Sequence, residues 1–474
     1  MQLHKKTLLV KKLACKILPL VIASFFIAAC SSTQVQKPDI NYASHYSVVP
    51  VQSGIENAVV DSSWWQSFQS PALNNLMQAA QQQSPDFLIS VERVKQAELQ
   101  MRIANASLFP SLSANASSSE SRNKADGKSS TRTESTRAGV GISYEIDLWG
   151  GLAADRASAR AGYDAMRYDQ DAATLSIKAA IANGWFQWLA LQERIATANK
   201  NIAIAERVQK IVDARYNNGA ATAADVAQQK TNLLSQRSSL LPLELQARQT
   251  QSALAILLGK TPQEFSLVAG QLLDVNVPQI APGTPADLVT RRPDLAANEA
   301  ELRGANADIH VARAALLPGI KLSADAGKSA SELFSLNPAT QTSGWAVSLV
   351  QTLFSGGRLI NQKRLSEAKQ VEMVLQYHKA ILTALQEVDN ALVAADISQR
   401  QEISQQEIVA NAERSLRLTE ARYRAGTDDL LSLLDAQRSL FQAQDSLVQQ
   451  RLSRLNAAVD LYKSLGGGWS LAAN

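Results

Sequence analysis

The chain has 474 residues, 47 Lys and Arg against 43 Asp and Glu, 46% hydrophobic residues and two Cys. The length allows a large core or several segments. The basic excess sits wholly in the first 29 residues, so it does not point to a nucleic-acid partner.

That N-terminal stretch carries Lys5, Lys6, Lys11, Lys12 and Lys16, then an apolar run from Ile17 to Ala28, too short to span a bilayer comfortably. Ile27-Ala28-Ala29-Cys30 follows and resembles the bacterial lipobox, in which Cys30 is lipidated and becomes the first residue of the mature protein. Ser31 at the next position is similar to lipoproteins sent to the outer membrane. Removing residues 1–29 takes away five Lys, no acid and Cys15, which leaves 42 basic against 43 acidic residues and a single Cys. No intrachain disulfide is then available. No later apolar run approaches the length of a transmembrane helix.

Residues 30–70 read as a lipidated tether, polar and mixed. Trp64, Trp65 and Phe68 give it an aromatic anchor, expected to pack on the outside of a folded body. A first repeat spans 71–260. It holds a helix over 84–107 with Pro85 at its first turn, two strands within 108–149, and helices over 152–217 and 222–258. The strand reading rests on period two: Val140, Ile142, Tyr144, Ile146 and Leu148 alternate with Gly141, Ser143, Glu145 and Asp147. Gly219 sits where a helix end needs a residue tolerant of positive φ, and Thr222 with Asp225 reads as a capping box that restarts the helix. A bend is expected at Pro242. Residues 261–291 separate the halves.

The second repeat, 292–466, says the same things about 207 residues later. Ala214-Arg215-Tyr216 with Gly219 recurs as Ala421-Arg422-Tyr423 with Gly426; Ser84-Pro85-Asp86 recurs as Arg292-Pro293-Asp294; Leu257-Leu258-Gly259 recurs as Ser464-Leu465-Gly466. It carries strands within 318–354 and helices over 292–316, 357–424 and 428–464, and a tail follows at 467–474.

A helix of 66 residues is roughly 100 Å long. The two shorter helices of each repeat sum to nearly the same length, so they can stack end to end beside it. Val374, His378, Ile381, Leu385, Val388, Leu392 and Ala395 step by four and three, which predicts a supercoiled seam. Ile181, Trp185 and Trp188 take the matching positions in the first copy. The strands are about ten residues long with one apolar face each, the pattern of tilted membrane strands. Four cannot close a barrel, and an open edge in lipid leaves backbone groups unpaired. Either they form soluble hairpins packed on the helices, or several chains share one barrel.

Enzymatic chemistry finds no support. His45, His310 and His378 have no metal-ligand spacing, and no Gly-rich phosphate loop follows a strand. No metal, cofactor or catalytic residue is expected.

On the duplicated strand–strand–helix–turn–helix plan and the terminal Leu465-Gly466-Gly467-Gly468-Trp469, the chain resembles the outer membrane factors of the TolC/OprM type, in the NodT-like lipoprotein subgroup. The resemblance covers essentially the whole mature chain. It implies a mainly α fold with a membrane β-barrel part: a homotrimer whose 12-stranded barrel continues into a long α-helical periplasmic tunnel. Residues 261–291 and the C-terminal tail would form an equatorial belt around that tunnel. It implies a passive exit duct for small molecules such as drugs, metabolites or metal ions. Its partners would be outer-membrane lipid, a periplasmic adaptor (a membrane fusion protein) and an inner-membrane pump of the RND type. Residue by residue, Leu431, Asp435 and Arg438 match the motif that constricts the periplasmic entrance. Tyr423 and Asp225 match a pair that ties neighbouring helix pairs shut. Gly219, Ala220, Gly426 and Thr427 match the turns that touch the adaptor. The family's usual basic residue after Gly426 is replaced by Asp428, so the lock is expected to differ. The rival reading is a lipid-anchored periplasmic scaffold or adaptor without a pore; an adaptor would carry one hairpin rather than two.

Overall fold

The computed structural model describes residues 42–47, 60–124, 126–127, 129–268 and 270–471. The leader, Cys30 and most of the tether lie outside them.

A 3₁₀ turn at Trp64–Phe68 opens the body and is followed by α1 (Pro71–Gln83), α2 (Pro85–Ala106), β1 (Ser111–Asn123), β2 (Thr131–Ile146), α3 (Gly151–Asn217) and α4 (Ala223–Leu257). After an inter-repeat segment and one helical turn at Leu288–Arg291 come α5 (Pro293–Ala314), β3 (Gly319–Ala330), β4 (Thr340–Val350), α6 (Arg358–Ala425) and α7 (Leu430–Ser464). Helix α1 has no counterpart in the sequence reading. Ser70 accepts from the Leu73 amide at its start, 3.3 Å away, and Leu73, Met77 and Ala80 form its buried stripe. Helix α4 runs unbroken through Pro242.

Each long helix lies beside the two short helices of its own repeat, α3 with α2 and α4, α6 with α5 and α7. The short helices meet end to end through glycine. A Cβ on Gly259 would stand 2.2 Å from the Gln83 carbonyl oxygen, and one on Gly466 would be 1.8 Å from that of Arg291. Only glycine lets the end of α4 meet the start of α2, or the end of α7 meet the start of α5. Helix α3 also packs on α5 and α7, which binds the repeats together.

Along α6 the buried series is Tyr377, Ile381, Ala384, Val388, Ala391, Ser398 and Glu402. Its steps are four and three as far as Ala391, beside which Leu392 is also buried, then seven to Ser398 and four to Glu402, which keeps the seam near a 3.5-residue period. Tyr377, not the neighbouring His378, takes the buried position; the phenol fills more of the seam than an imidazole would.

The main core cluster lies between the repeats. Trp64, Phe68, Ile181, Trp185, Phe186, Leu254, Leu272 and Leu455 are among its members. The aromatic anchor is thus not on the outside of the body. Trp64 stacks on Tyr462 with centroids 5.3 Å apart, and Phe68 meets Phe186 at 5.0 Å. Two Trp and a Phe carry too much apolar area to leave in water once a seam between repeats can take them. The tail closes over this cluster. Trp469 donates its indole N–H to Asp171 at 2.9 Å, and a Cβ on Gly468 would stand 2.4 Å from the Asp61 carbonyl carbon.

The strands form one antiparallel sheet in the order β1-β2-β3-β4. The β2–β3 pairing joins the repeats, with Ile142 opposite Ala324 and Tyr144 opposite Leu322. The register puts Leu112, Val140, Ile142, Leu322, Trp345, Val347 and Leu349 on one face and Ser113, Gly141, Ser143, Lys321, Ser323 and Ser348 on the other. Both faces are open, and β1 and β4 are unpaired edges. Asp147 turns the sheet into α3, accepting from the Leu152 and Ala153 amides at 3.0 and 2.8 Å. Among the described residues, no helix is long and apolar enough to cross a membrane.

Candidate functional site at the hairpin tips

Far from the sheet, each repeat ends in a helical hairpin turn. Both turns are built alike. The Ala220 amide donates to Arg215 O at 2.8 Å and the Gly219 amide to Tyr216 O at 2.9 Å; the Thr427 amide donates to Arg422 O at 3.0 Å and the Gly426 amide to Tyr423 O at 3.1 Å. These are Schellman ends, with glycine in the left-handed region at φ +72° and +79°. The helices then restart differently. Thr222 and Asp225 form a reciprocal capping box, with the Thr222 amide 2.8 Å from the Asp225 carboxylate. In the second repeat Asp429 caps α7 alone, accepting from the Ser432 amide at 2.7 Å. Asp428 lies 3.6 Å from the Arg422 guanidinium.

A small apolar cluster holds the tips together: Val208 and Val212 of α3, Leu416 and Tyr423 of α6, and Leu430, Leu433, Leu434 and Leu440 of α7. Tyr423 is buried there. Burial raises its hydroxyl pKa, Arg215 opposes that, and the nearby Asp225 charge adds to it. No hydrogen bond joins Tyr423 to Asp225 among those of the described residues; the Asp225 carboxylate accepts from the Thr222 amide and hydroxyl instead.

What ties the second hairpin to the first is arginine. Arg215 donates to the Tyr423 backbone carbonyl and to Ala220 O, and its guanidinium lies 4.7 Å over the Tyr423 ring. Arg207 grips Glu420 with two bonds of 3.2 and 3.0 Å, and Arg424 joins the same carboxylate at 2.6 Å. Further up, Arg194 reaches Asp445 at 2.6 Å. Sequence reasoning missed these arginines. The only signal was a lone cation at matching points of the first long helix, which reads as an ordinary solvated charge.

Leu431, Asp435 and Arg438 share the exposed face of α7, opposite the buried Leu430, Leu433, Leu434 and Gln437. Asp435 and Arg438 lie 3.4 Å apart with side chains 59% and 67% exposed. An ion pair so open contributes little to folding. This face points away from the rest of its own protomer. Among the described residues, no cluster of His, Cys, Asp and Glu is arranged to hold a metal.

The family model for outer membrane efflux proteins matches residues 76–260 and 284–467, the two repeats in turn. This chain belongs to that family. It is 40% identical to the pyoverdine export outer membrane protein OpmQ of Pseudomonas putida over 423 residues, 87% of this chain and 89% of that one. To the OpmQ of Pseudomonas aeruginosa it is 37% identical over 464 residues, 96% of this chain and 97% of the other. Its fold matches the Campylobacter jejuni CmeC outer membrane channel with a TM-score of 0.86, covering 93% of this chain and 95% of that chain at 22% identity. The protein is therefore an outer membrane efflux protein of the TolC/OprM type, located in the outer membrane. Its sheet belongs to a β-barrel and its hairpins to an α-helical tunnel. In a membrane barrel the apolar face of a sheet is the one that meets lipid and the polar face the one that lines the lumen.

Proposed function

We propose that three copies of this outer membrane efflux protein close one 12-stranded barrel and one tunnel, and that the duct is opened at its tips by a periplasmic adaptor. The observation that carries the reading is the open sheet: four strands with two unpaired edges and both faces exposed. Such edges have no place in lipid unless other copies pair with them. The duct is passive and performs no chemistry of its own. Its energy comes from an inner-membrane pump, for which the RND type is our choice. The cargo is a small secreted molecule. Both OpmQ relatives carry pyoverdine export in their names, and a metabolite of that kind is the first candidate, ahead of drugs or metal ions.

In such a trimer, three copies of Asp435 would converge on the axis with Arg438 one turn along the same face. Leu431 would add an apolar ring that discourages water at the constriction. Arg215 on Tyr423 and Arg207 on Glu420 would hold the hairpins together while the entrance is closed, with Asp225 acting through its charge beside the Tyr423 hydroxyl. Gly219, Ala220, Gly426 and Thr427 lie on the turns that an adaptor would meet first, and contact there would supply the differential free energy that favours opening. Cys30 would carry the acyl anchor.

Planar-bilayer recordings on cross-linked trimers test the gate. Tyr423→Phe combined with Arg438→Ser is expected to raise single-channel conductance, and Asp435→Ala to abolish block by divalent cations added from the periplasmic side. Unchanged conductance and block in both would remove these residues from the gate. For the anchor, metabolic labelling with palmitate is expected to mark the unsubstituted chain and not Cys30→Ala. Label persisting in that variant would sink the lipobox.

A further inference from the structure

The lipid face of the sheet changes character near its outer end. On β1 the outward residues run Leu112, Ala114, Ala116, then Ser118, Glu120, Arg122; on β2 they run Ile142, Val140, Ala138, then Thr136, Glu134, Arg132. Arg122, Glu120, Arg132 and Glu134 are linked in a row of ion pairs, with Arg132 3.0 Å from Glu120 and Arg122 2.6 Å from it. That set lies one and two outward-facing positions beyond Ser118 and Thr136, about 7 Å per position. It marks the headgroup level, where charge is solvated. Ser118 and Thr136 fall between this level and the apolar band.

The β3–β4 loop covers these two residues. It leaves β3 at Ala330, which is buried beneath it, and crosses the same face sideways over β2 to β1. Thr136 donates its hydroxyl to Glu332 O at 2.6 Å, the Leu333 amide donates to the Glu134 carboxylate at 3.3 Å, and the Phe334 amide donates to Ser118 Oγ at 3.1 Å. Ser118 and Thr136 also bond each other at 2.9 Å. The polar groups of this rung are thereby satisfied by the loop and by each other. In their place the loop presents Phe334, 88% exposed, and Leu336, 37% exposed. Phe334 stands at φ +56°, a left-handed conformation that a bulky residue rarely adopts. Such a conformation persists where surrounding contacts over-determine it, here the three bonds that fix Glu332, Leu333 and Phe334 to β1 and β2.

We propose that this loop is a lipid clasp: Ser118, Thr136 and Glu134 fasten it across the outward face of the barrel so that Phe334 and Leu336 enter the acyl region of the outer leaflet. The partner is the bilayer itself. The patch continues the lipid-facing band through Ala116 and Ala138, and it ends where the ion-paired set begins. An apolar ring just inside a polar boundary is where barrels place their aromatic girdles. The inference rests on the barrel reading and adds to it a loop that lipid, not water, surrounds.

The test uses Phe334→Cys and Leu336→Cys, each labelled with an environment-sensitive fluorophore on trimers in phospholipid vesicles; the unsubstituted chain taken through the same labelling is the blank. Leu349→Cys on the lipid face and Ser121→Cys on the lumen face are the references. Nitroxide-bearing phospholipid is expected to quench labels at 334 and 336 severalfold more than the label at 121, with blue-shifted emission, while aqueous iodide does the reverse. Quenching of 334 and 336 by iodide and not by lipid, with 349 still quenched by lipid, would overturn the clasp and leave the barrel standing. Loss of lipid quenching at 349 as well would overturn both. Thr136→Val with Ser118→Ala in the Phe334→Cys chain is expected to halve or further reduce the lipid quenching, because the loop loses its fastening.

Discussion

Arg215 does three things from one guanidinium: it bonds the Tyr423 carbonyl, bonds Ala220 O and covers the Tyr423 ring. The carbonyl lies in the last turn of α6, where the helix dipole favours a cation. Lysine carries the charge but not the planar fork. Arg215→Lys is therefore expected to release the second hairpin nearly as fully as Arg215→Ala, read as a rise in single-channel conductance for both. A conductance equal to that of the unsubstituted chain would make the contact incidental. The Tyr423 hydroxyl, whose pKa burial holds above its ordinary value near 10, has a stated consequence with pH. A group whose pKa is raised on folding stabilises the fold fully below its unfolded pKa, and that contribution is lost as pH rises through the folded value. The closed tip is expected to loosen above about pH 10, followed as spin-label mobility at Gly426→Cys, and Tyr423→Phe should remove that part of the pH dependence.

At the level of helices, Gly259 and Gly466 end α4 and α7 with the same Schellman bonds as Gly219 and Gly426, Lys260 N–H to Ala255 O and Gly467 N–H to Tyr462 O, so the duplication sets up a comparison of tip with junction. Gly426 at the tip and Gly466 at the upper end of the second repeat both have positive φ, at +79° and +86°. A Cβ on Gly426 meets nothing within 4 Å, whereas one on Gly466 would be 1.8 Å from Arg291 O. Gly426→Ala carries the conformational cost alone, about 1–2 kcal/mol. Gly466→Ala adds a backbone clash, about 1–3 kcal/mol more. Urea unfolding of detergent-solubilised trimers is expected to rank them so; equal midpoints would mean that the upper junction can yield. The sequence already showed where these ends fall, because glycine, the capping box and the switch from period two to 3.5 are local signals. Sequence reasoning missed α1, although Leu73, Leu76, Met77 and Ala80 stand at the i, i+3, i+4, i+7 spacing of an amphipathic helix and the signal was there to read. Nor did it show that Trp64 and Phe68 are interior, because what buries them is Tyr462, almost four hundred residues away.

The whole molecule is two copies of one unit joined twice, by β2–β3 pairing in the sheet and by α3 against α5 and α7 in the helices. The sheet of one chain has two unpaired edges, so on the proposed trimer its stability would belong to the assembly. Leu349→Arg places a charge on the lipid face, expected to cost about 2–4 kcal/mol per chain near the bilayer centre. Heat-resistant trimers on a gel should fall accordingly; a matching change on the lumen face, Ser348→Arg, should leave them. Trimers that survive Leu349→Arg unchanged would place that face away from lipid. The arginine contacts between hairpins stayed hidden in the sequence for a related reason. Arg207 and Glu420, or Arg194 and Asp445, are each plain surface residues on their own helix and acquire a role only when two repeats lie side by side.

The tail and the first turn of the body meet: Gly468 lies against Asp61 and Ser62, and Gly467 against Trp64 and Leu175. A secreted chain crosses the inner membrane from its N-terminus, so Trp64 arrives early and the glycines that cover it arrive last. Until Gly466–Trp469 has emerged, the seam between the repeats stays uncovered and its aromatic surface is open to chaperones and proteases. A molecule that still shows Trp64 has yet to close the seam between its first turn and its last.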